Sequence, residues 1–275
     1  MSTAILTDTS ANGLLAAIEA DIVATRLTNV DVPVEPHVDP DAAWAIARDP
    51  GSRRTVVVRT AFDEAAADRR IADILAVADS GGTSVLWWVA PHHRPSDLGG
   101  RLGRFGFGEE GATAAMTLDL ATLPSALEPP PSELSITPVS DVDGVRSFVA
   151  VHMADRPEGT GSVRSGAAEL RIRHITNELE NGASGVRLVG RVDGMPVATS
   201  RLSASGGVAG LYGIVTIPDA RGRGYGRAMT LAALDAGRRL GLRIATLQAS
   251  DLGYPIYRRI GFDEQFRYAL LVRPA

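Results

Sequence analysis

The dipeptide Gly-Phe recurs in matching surroundings, at Gly106-Phe107 and Gly261-Phe262. Each copy follows a stretch that reads as a short helix. Each precedes a run that reads as a strand, Ala114 to Leu120 and Tyr268 to Val272. Self-similarity at so long a period suggests two copies of one fold. A break between them falls near residues 123–133 and contains Pro129-Pro130-Pro131. Consecutive prolines lack backbone donors and favour an extended, semi-rigid linker. The expected organisation is a domain at 1–125, a Pro-rich linker at 126–133 and a second domain at 134–275, which suits a chain of 275 residues.

Charge separates the same halves. Every one of the 28 basic residues is Arg. Residues 1–130 hold 10 Arg against 18 acidic residues, a net of −8, and residues 131–275 hold 18 against 14, a net of +4. The basic half suits a polyanionic ligand, and the acidic half could steer a cationic one. Stacking on nucleic acid is not expected of Trp87-Trp88 in a half with that negative charge. One of those rings should enter the core and the other cover a domain interface. Cysteine is absent, which removes disulfides, thiolate nucleophiles and Cys-held zinc. Apolar runs such as Val85 to Ala90 are too short to span a bilayer, and no basic region precedes an apolar run as in a signal peptide. A cytoplasmic protein with no membrane partner is the expectation.

The second half is the more legible. Leu134 to Val139 reads as a strand, and Ser140-Asp141 can cap a helix carrying Val145, Phe148, Val149 and Met153. A second helix spans roughly Ser165 to Glu180. Val186 to Val192, Pro196 to Ser203 and Val208 to Ile217 read as a three-strand meander turned at Asp193-Gly194 and Gly206-Gly207. A helix to about Leu240 should bury Met229, Ala233, Ala236 and Leu240 and end at Gly241. Leu242 to Gln248 reads as a strand, and Ser250 or Asp251 can cap a short helix ending at Gly261. The first half reads more thinly: helices at Asn12 to Leu27, Glu64 to Ala78 and Ser96 to Arg104, with strands at Arg54 to Arg59 and Ser84 to Val89.

Between the meander and its following helix lies Arg221-Gly222-Arg223-Gly224-Tyr225-Gly226-Arg227. A helix start offers unpaired N–H groups and a positive dipole end, which favour an anion. Glycines admit a phosphate close to the backbone, and three Arg add charge. A P-loop is excluded because it needs Lys, and the dinucleotide fingerprint fails because Arg227 stands where its third Gly would be.

Arg221-x-x-Gly224-x-Gly226 resembles the pyrophosphate-binding signature of the GNAT superfamily of acyl-CoA-dependent N-acetyltransferases. Tyr257-Arg258-Arg259-Ile260-Gly261-Phe262 resembles that family's late Tyr-x-x-x-Gly-Phe element. The resemblance covers about residues 134–275. It implies an α/β (α+β) protein of two GNAT-like domains, each a mixed, mostly antiparallel sheet flanked by helices. The first would be a degenerate copy without a CoA loop, because Thr60-Ala61-Phe62-Asp63-Glu64 lacks glycines and is acidic.

The resemblance further implies an acetyltransferase using acetyl-CoA as co-substrate and no metal. The diphosphate would sit on Arg221, Gly222, Arg223, Gly224, Tyr225, Gly226 and Arg227. The pantetheine would run along Ile214, Val215 and Thr216, between splayed strands, with Ser250 nearby where the family often has Asn. The Val215 amide or a neighbour would polarise the thioester carbonyl, and Tyr257 would protonate the leaving thiolate. The acceptor would be a small-molecule amine or a peptide N-terminus attacking directly. No carboxylate lies on the strand before the loop, so Tyr212, Glu169, Glu178 and His152 stand as candidate bases. Residues Met153 to Ala168 would line the acceptor pocket. The alternative is an acyl-CoA-binding regulatory module without turnover. A homodimer is left open. His92-His93 invites a metal, but adjacent loop histidines diverge and no carboxylate cluster is spaced to help.

Overall fold

In a computed structural model, residues 4–28, 32–49, 52–154, 161–182 and 185–275 are described. The first half runs α1 (Ala11–Thr28), β1 (Val34–Val38), β2 (Ala42–Asp49), β3 (Ser52–Thr60), α2 (Ala67–Ser80), β4 (Ser84–Val89), α3 (Leu98–Arg104) and β5 (Gly108–Asp119). The second runs β6 (Ser135–Pro138), α4 (Val142–Ala154), α5 (Gly161–Glu180), β7 (Gly185–Val192), β8 (Met195–Ser203) and β9 (Ala209–Thr216). It continues through α6 (Tyr225–Arg239), β10 (Ile244–Ala249), α7 (Tyr254–Ile260) and β11 (Asp263–Arg273). From β1 and from β7 onward the order is the same: three-strand meander, helix, strand, short helix, long strand.

Local chemistry accounts for most ends. Asp141 Oδ1 accepts from the Gly144 amide at 2.7 Å and starts α4. Asp193 and Gly194 take φ of 50° and 81°, which closes the β7–β8 hairpin. Two expectations need correction. The strands β1 and β2 had not been anticipated. Leu240 lies beyond α6 and is 50% exposed, because the helix's buried stripe ends with Leu234 and Gly237.

The eleven strands among the described residues form one sheet, in the order β1-β2-β3-β4-β11-β5-β10-β9-β8-β7-β6. Among these described strands only β3–β4 and β9–β10 pair parallel. The last strand of each half has crossed to the other. β11 pairs with β4 and with β5, and β5 pairs with β10. The core follows this exchange. Met116, Leu118 and Leu120 of the first half pack with Met229, Ala233 and Leu234 of α6. Trp87 is buried among α2 residues, whereas Trp88 turns to the other face and meets Tyr268 of β11 at 5.2 Å between ring centroids.

The exchange has a measurable consequence. Burying Met116, Leu118 and Leu120 is worth about 1.5–3 kcal/mol each. A whole domain retains only about 5–15 kcal/mol. A fragment of residues 126–275 loses all three and leaves β10 and β11 with open edges. It should be insoluble or lack a cooperative melt by circular dichroism. A soluble fragment with a sharp melt would contradict the topology's energetic role.

Candidate functional site

A groove of about 480 Å³ lies at the C-terminal end of β9. Its origin is a splayed pair of strands. β9 and β10 pair only at Ala209–Ala245 and Gly210–Thr246, and beyond Gly210 the β9 edge facing β10 is left open. The first half lacks this opening. There β3 and β4 pair at four positions, and pairing resumes where Phe62 N–H donates to Arg94 O and Arg94 N–H to Thr60 O.

The groove is lined by Ile214, Val215 and Thr216 on one side and by the start of α6 on the other. Gly222 and Gly224 take φ of 78° and 80°, which L side chains rarely adopt, and so turn the chain sharply into α6. Gly224 is the N-cap, and no side chain among the described residues caps the helix. The first-turn amides therefore lack both intrahelical and capping partners. In the first half the corresponding turn is occupied by its own acid, Asp63, which accepts from the Ala65 amide at 3.0 Å.

Of the residues named from sequence, Ile214, Val215, Thr216, Arg221, Gly222, Gly224, Tyr225, Gly226, Arg227, Ser250 and Tyr257 line the groove, and Arg223 does not. The Tyr225 side chain is buried and donates to Glu133 Oε1 at 3.0 Å, so only its backbone serves the groove. Arg227 pairs with Glu128 at 2.6 Å. Val215 needs correcting. Ile217 N–H donates to Val197 O, and Val215 pairs with Thr199. Hydrogen-bonded pairs recur every second residue, so the Val215 amide faces β8 and is engaged there. By alternation Ile214 and Thr216 face the groove. The Thr216 carbonyl accordingly accepts from Arg221 Nε at 3.2 Å.

Tyr257 closes the inner end, with its ring 5.9 Å from that of Phe262. Burial pushes its phenol up to about 12. Gly253 makes room for it, since a Cβ there would sit 2.7 Å from the ring. Ser250 Oγ accepts from the Gly253 amide at 3.3 Å and fixes this turn.

A second cavity of about 400 Å³ adjoins the groove and shares Ile214, Val215, Ser250 and Tyr257 with it. Its further wall comes from both halves: Thr25, Arg26, Trp88 and Thr113 from the first, and His152, Arg201, Tyr212 and Gln248 from the second. Two of the four candidate bases, Tyr212 and His152, therefore face this space. Glu178 is tied to Arg187 at 2.8 Å, and Glu169 faces solvent near Arg146. Residues 155–160 and the side chains of 161–165, which carry much of the expected lining segment, fall outside the described residues.

Beneath Tyr212 lies Asp21 of α1, fully buried. It accepts from Tyr212 Oη at 2.7 Å, from Thr246 Oγ1 at 2.5 Å and from Thr25 Oγ1 at 3.3 Å. Burial raises its carboxyl to about 6, against the opposing pull of those hydroxyls and of Arg201. Gly210 permits the approach, because a Cβ there would meet Asp21 Oδ1 at 2.0 Å. Sequence reasoning missed Asp21, Arg26 and Arg201, since helix and sheet come together only through the tertiary fold.

The histidine pair also needs correction. Among the described residues, Glu19 joins His92 and His93 in a cluster whose ligand atoms lie within 4.8 Å of one another. Glu19 bonds His92 Nε2 at 2.8 Å. The Ala90 amide donates to His93 Nδ1, which leaves the proton on Nε2, the atom facing the cluster. Burial lowers His93 to about 3, so its ring stays neutral. In this tautomer His93 offers a hydrogen rather than a lone pair, and the cluster ties α1 to the loop after β4.

Residues 169–264 match the model of the acetyltransferase (GNAT) domain family. The chain carries a GNAT domain. Its fold is similar to a GCN5-related N-acetyltransferase from Kribbella flavida, at 19% identity and a TM-score of 0.68, covering 94% of this chain and 96% of that one. It is also similar to a tandem GNAT protein from the clavulanic acid biosynthesis pathway (12%, TM-score 0.63, 98% and 96%). A third likeness is to a GCN5-related N-acetyltransferase from Sphaerobacter thermophilus (17%, TM-score 0.58, 97% and 94%). None of the curated proteins matches the chain. The fold is thus that of tandem GNAT proteins, with mostly antiparallel strands flanked by helices, and the splayed strands and uncapped helix fall within the GNAT domain. No helix among the described residues is long and apolar enough to cross a membrane.

Proposed function

We propose that this chain moves an acetyl group from acetyl-CoA to a primary amine, by direct attack in a ternary complex, at one working site within residues 134–275. The observation that carries the reading is the junction of the two cavities. An anion-binding helix start and an open strand edge lead to Tyr257, where a second cavity begins. The amides of Gly222 to Arg227 would hold the diphosphate. The groove-facing backbone of Ile214 and Thr216 would pair with the pantetheine as an added strand. Ile214 lines both cavities and takes the role first given to Val215, donating its N–H to the thioester oxygen. The residues 1–125 would bind no CoA, because their strand edge is zipped and their helix start is acidic.

The amine lone pair attacks the thioester carbon, and a C–N bond forms. Collapse then breaks the C–S bond and releases a thiolate. The Tyr257 phenol, held near 12, stays protonated at working pH and donates to that sulfur. The amine's proton passes to Tyr212 as Tyr212 hands its own to Asp21. A carboxyl near 6 is ionised at neutral pH and accepts protons more readily than an ordinary Asp. Turnover should therefore fall as pH drops below about 6, and Asp21→Asn should abolish that acid limb in a kcat–pH profile. An unchanged limb would remove Asp21 from the relay.

Release of free thiol from acetyl-CoA across a panel of amines tests the proposal. Thiol formed in step with amine supports it. A regulatory module without turnover is favoured by the lack of any carboxylate in the described lining of either cavity. It predicts acetyl-CoA binding with no thiol released by any amine.

A further inference from the structure

We infer that Glu128, in the linker joining the halves, sets how tightly the groove takes its carrier: it holds Arg227 as an internal anion that a carrier phosphate displaces. This rests on the acetyltransferase reading above. Arg227 stands in the first turn of α6 and lines the groove, beside amides that no described side chain caps. Its Nη1 lies 2.6 Å from Glu128 Oε2. Carboxylates and phosphates are taken by the same guanidinium N–H groups. The linker's acid and the carrier's diphosphate therefore compete for Arg227.

The chain on both sides of Glu128 is fixed. Arg238, in the last turn of α6, donates to the carbonyls of Pro124 and Ser125 at 2.9 and 3.2 Å. Leu127 packs against the core that α6 helps to form. Beyond the three prolines, Glu133 accepts from Tyr225 Oη at 3.0 Å, and the Leu134 amide donates to the Pro131 carbonyl. The segment thus lies along α6 from its last turn to its first. The Glu128 carboxylate is therefore always at hand, and its release needs only a side-chain rotation. That rotation costs little, since the side chain is 65% exposed and exposed ion pairs are weak. The first half offers the contrasting case. There Asp63 belongs to the turn itself and accepts from the Ala65 amide at 3.0 Å, so the acid stays with the turn. In the second half the acid comes from outside the loop, on a side chain that can swing aside.

Calorimetry of acetyl-CoA binding to the full chain and three variants tests this. Glu128→Gln keeps the shape of the side chain and removes its charge. It should lower Kd by roughly 2- to 5-fold, the range that an exposed ion pair supports. Arg227→Gln should raise Kd, because the carrier loses a cation. Glu128→Gln added to Arg227→Gln should then bring no further gain, since the two side chains act as one pair. Unchanged or weaker binding by Glu128→Gln would overturn the inference and leave the acetyltransferase reading standing. A gain that persists undiminished in the Arg227→Gln background would overturn it too, because the acid would then act on the carrier without Arg227. Absence of acetyl-CoA binding in the unaltered chain would instead bring down the reading beneath it.

Discussion

Tyr257→Phe should lower turnover by roughly 10²- to 10⁴-fold, the usual worth of a positioned general acid, while leaving acetyl-CoA binding in place. The substitution keeps the ring that packs against Phe262 and fills the space Gly253 provides. It removes only the hydroxyl of a residue that lines both cavities. Burial holds that phenol near 12, whereas a thiol titrates near 8.5. Complete transfer to the thiolate is therefore uphill, and in the proposed mechanism the phenol would act by sharing its proton as the C–S bond breaks. The same value means that Tyr257 sets no basic limb in a kcat–pH profile below about 11. Stopped assays on wild type and variant at saturating acetyl-CoA measure the effect. Equal kcat would strip Tyr257 of its role.

Asp21→Ala should cost stability on the order of 3–5 kcal/mol, a range set by removing one partner from a buried charged network. The hydroxyls of Tyr212 and Thr246 lose their acceptor, Thr25 keeps only Ser203 Oγ at 3.3 Å, and nearly buried Arg201 loses its adjacent anion. The damage falls where the halves meet, because Asp21 stands on α1 while Tyr212 and Thr246 stand on β9 and β10. Asp21→Asn keeps an acceptor oxygen and should cost much less. The carboxyl's elevated value sets a sign. A native acid that titrates near 6 rather than 3.8 binds its proton more tightly than the unfolded chain does. Its contribution therefore falls as pH rises from about 4 to about 6, and Asp21→Asn should remove that decline. Urea melts at pH 4 and pH 7 measure both effects. An Asp21→Ala midpoint matching wild type would contradict the network's structural weight.

What the sequence disclosed, and what it hid, divides along the same line. The groove was legible because its parts are local. Residues 214–227 run from strand through turn to helix without interruption, and Tyr257 announces itself by its spacing to Gly261-Phe262. Strands β1 and β2 were not legible. Val34-Glu35-Pro36-His37-Val38 carries a proline, and β2 is rich in alanine, so neither has the β-branched alternation that marks a strand. They form because pairing with β3 and packing of Trp44 outweigh local preference. The exchange of β5 and β11 left no trace in the periodicity, since a strand reads alike beside either neighbour. The wall of the second cavity was hidden for a similar reason. Arg26 reads as an ordinary charge in the last turn of a helix until the fold sets it over Trp88.

Titrating acetyl-CoA into the purified chain by calorimetry tests the central claim most directly. The account predicts one binding event per chain, lost when Gly224 is replaced by Val, because a β-branched residue resists a φ of 80° at the start of α6. Two events per chain, or none, would contradict it.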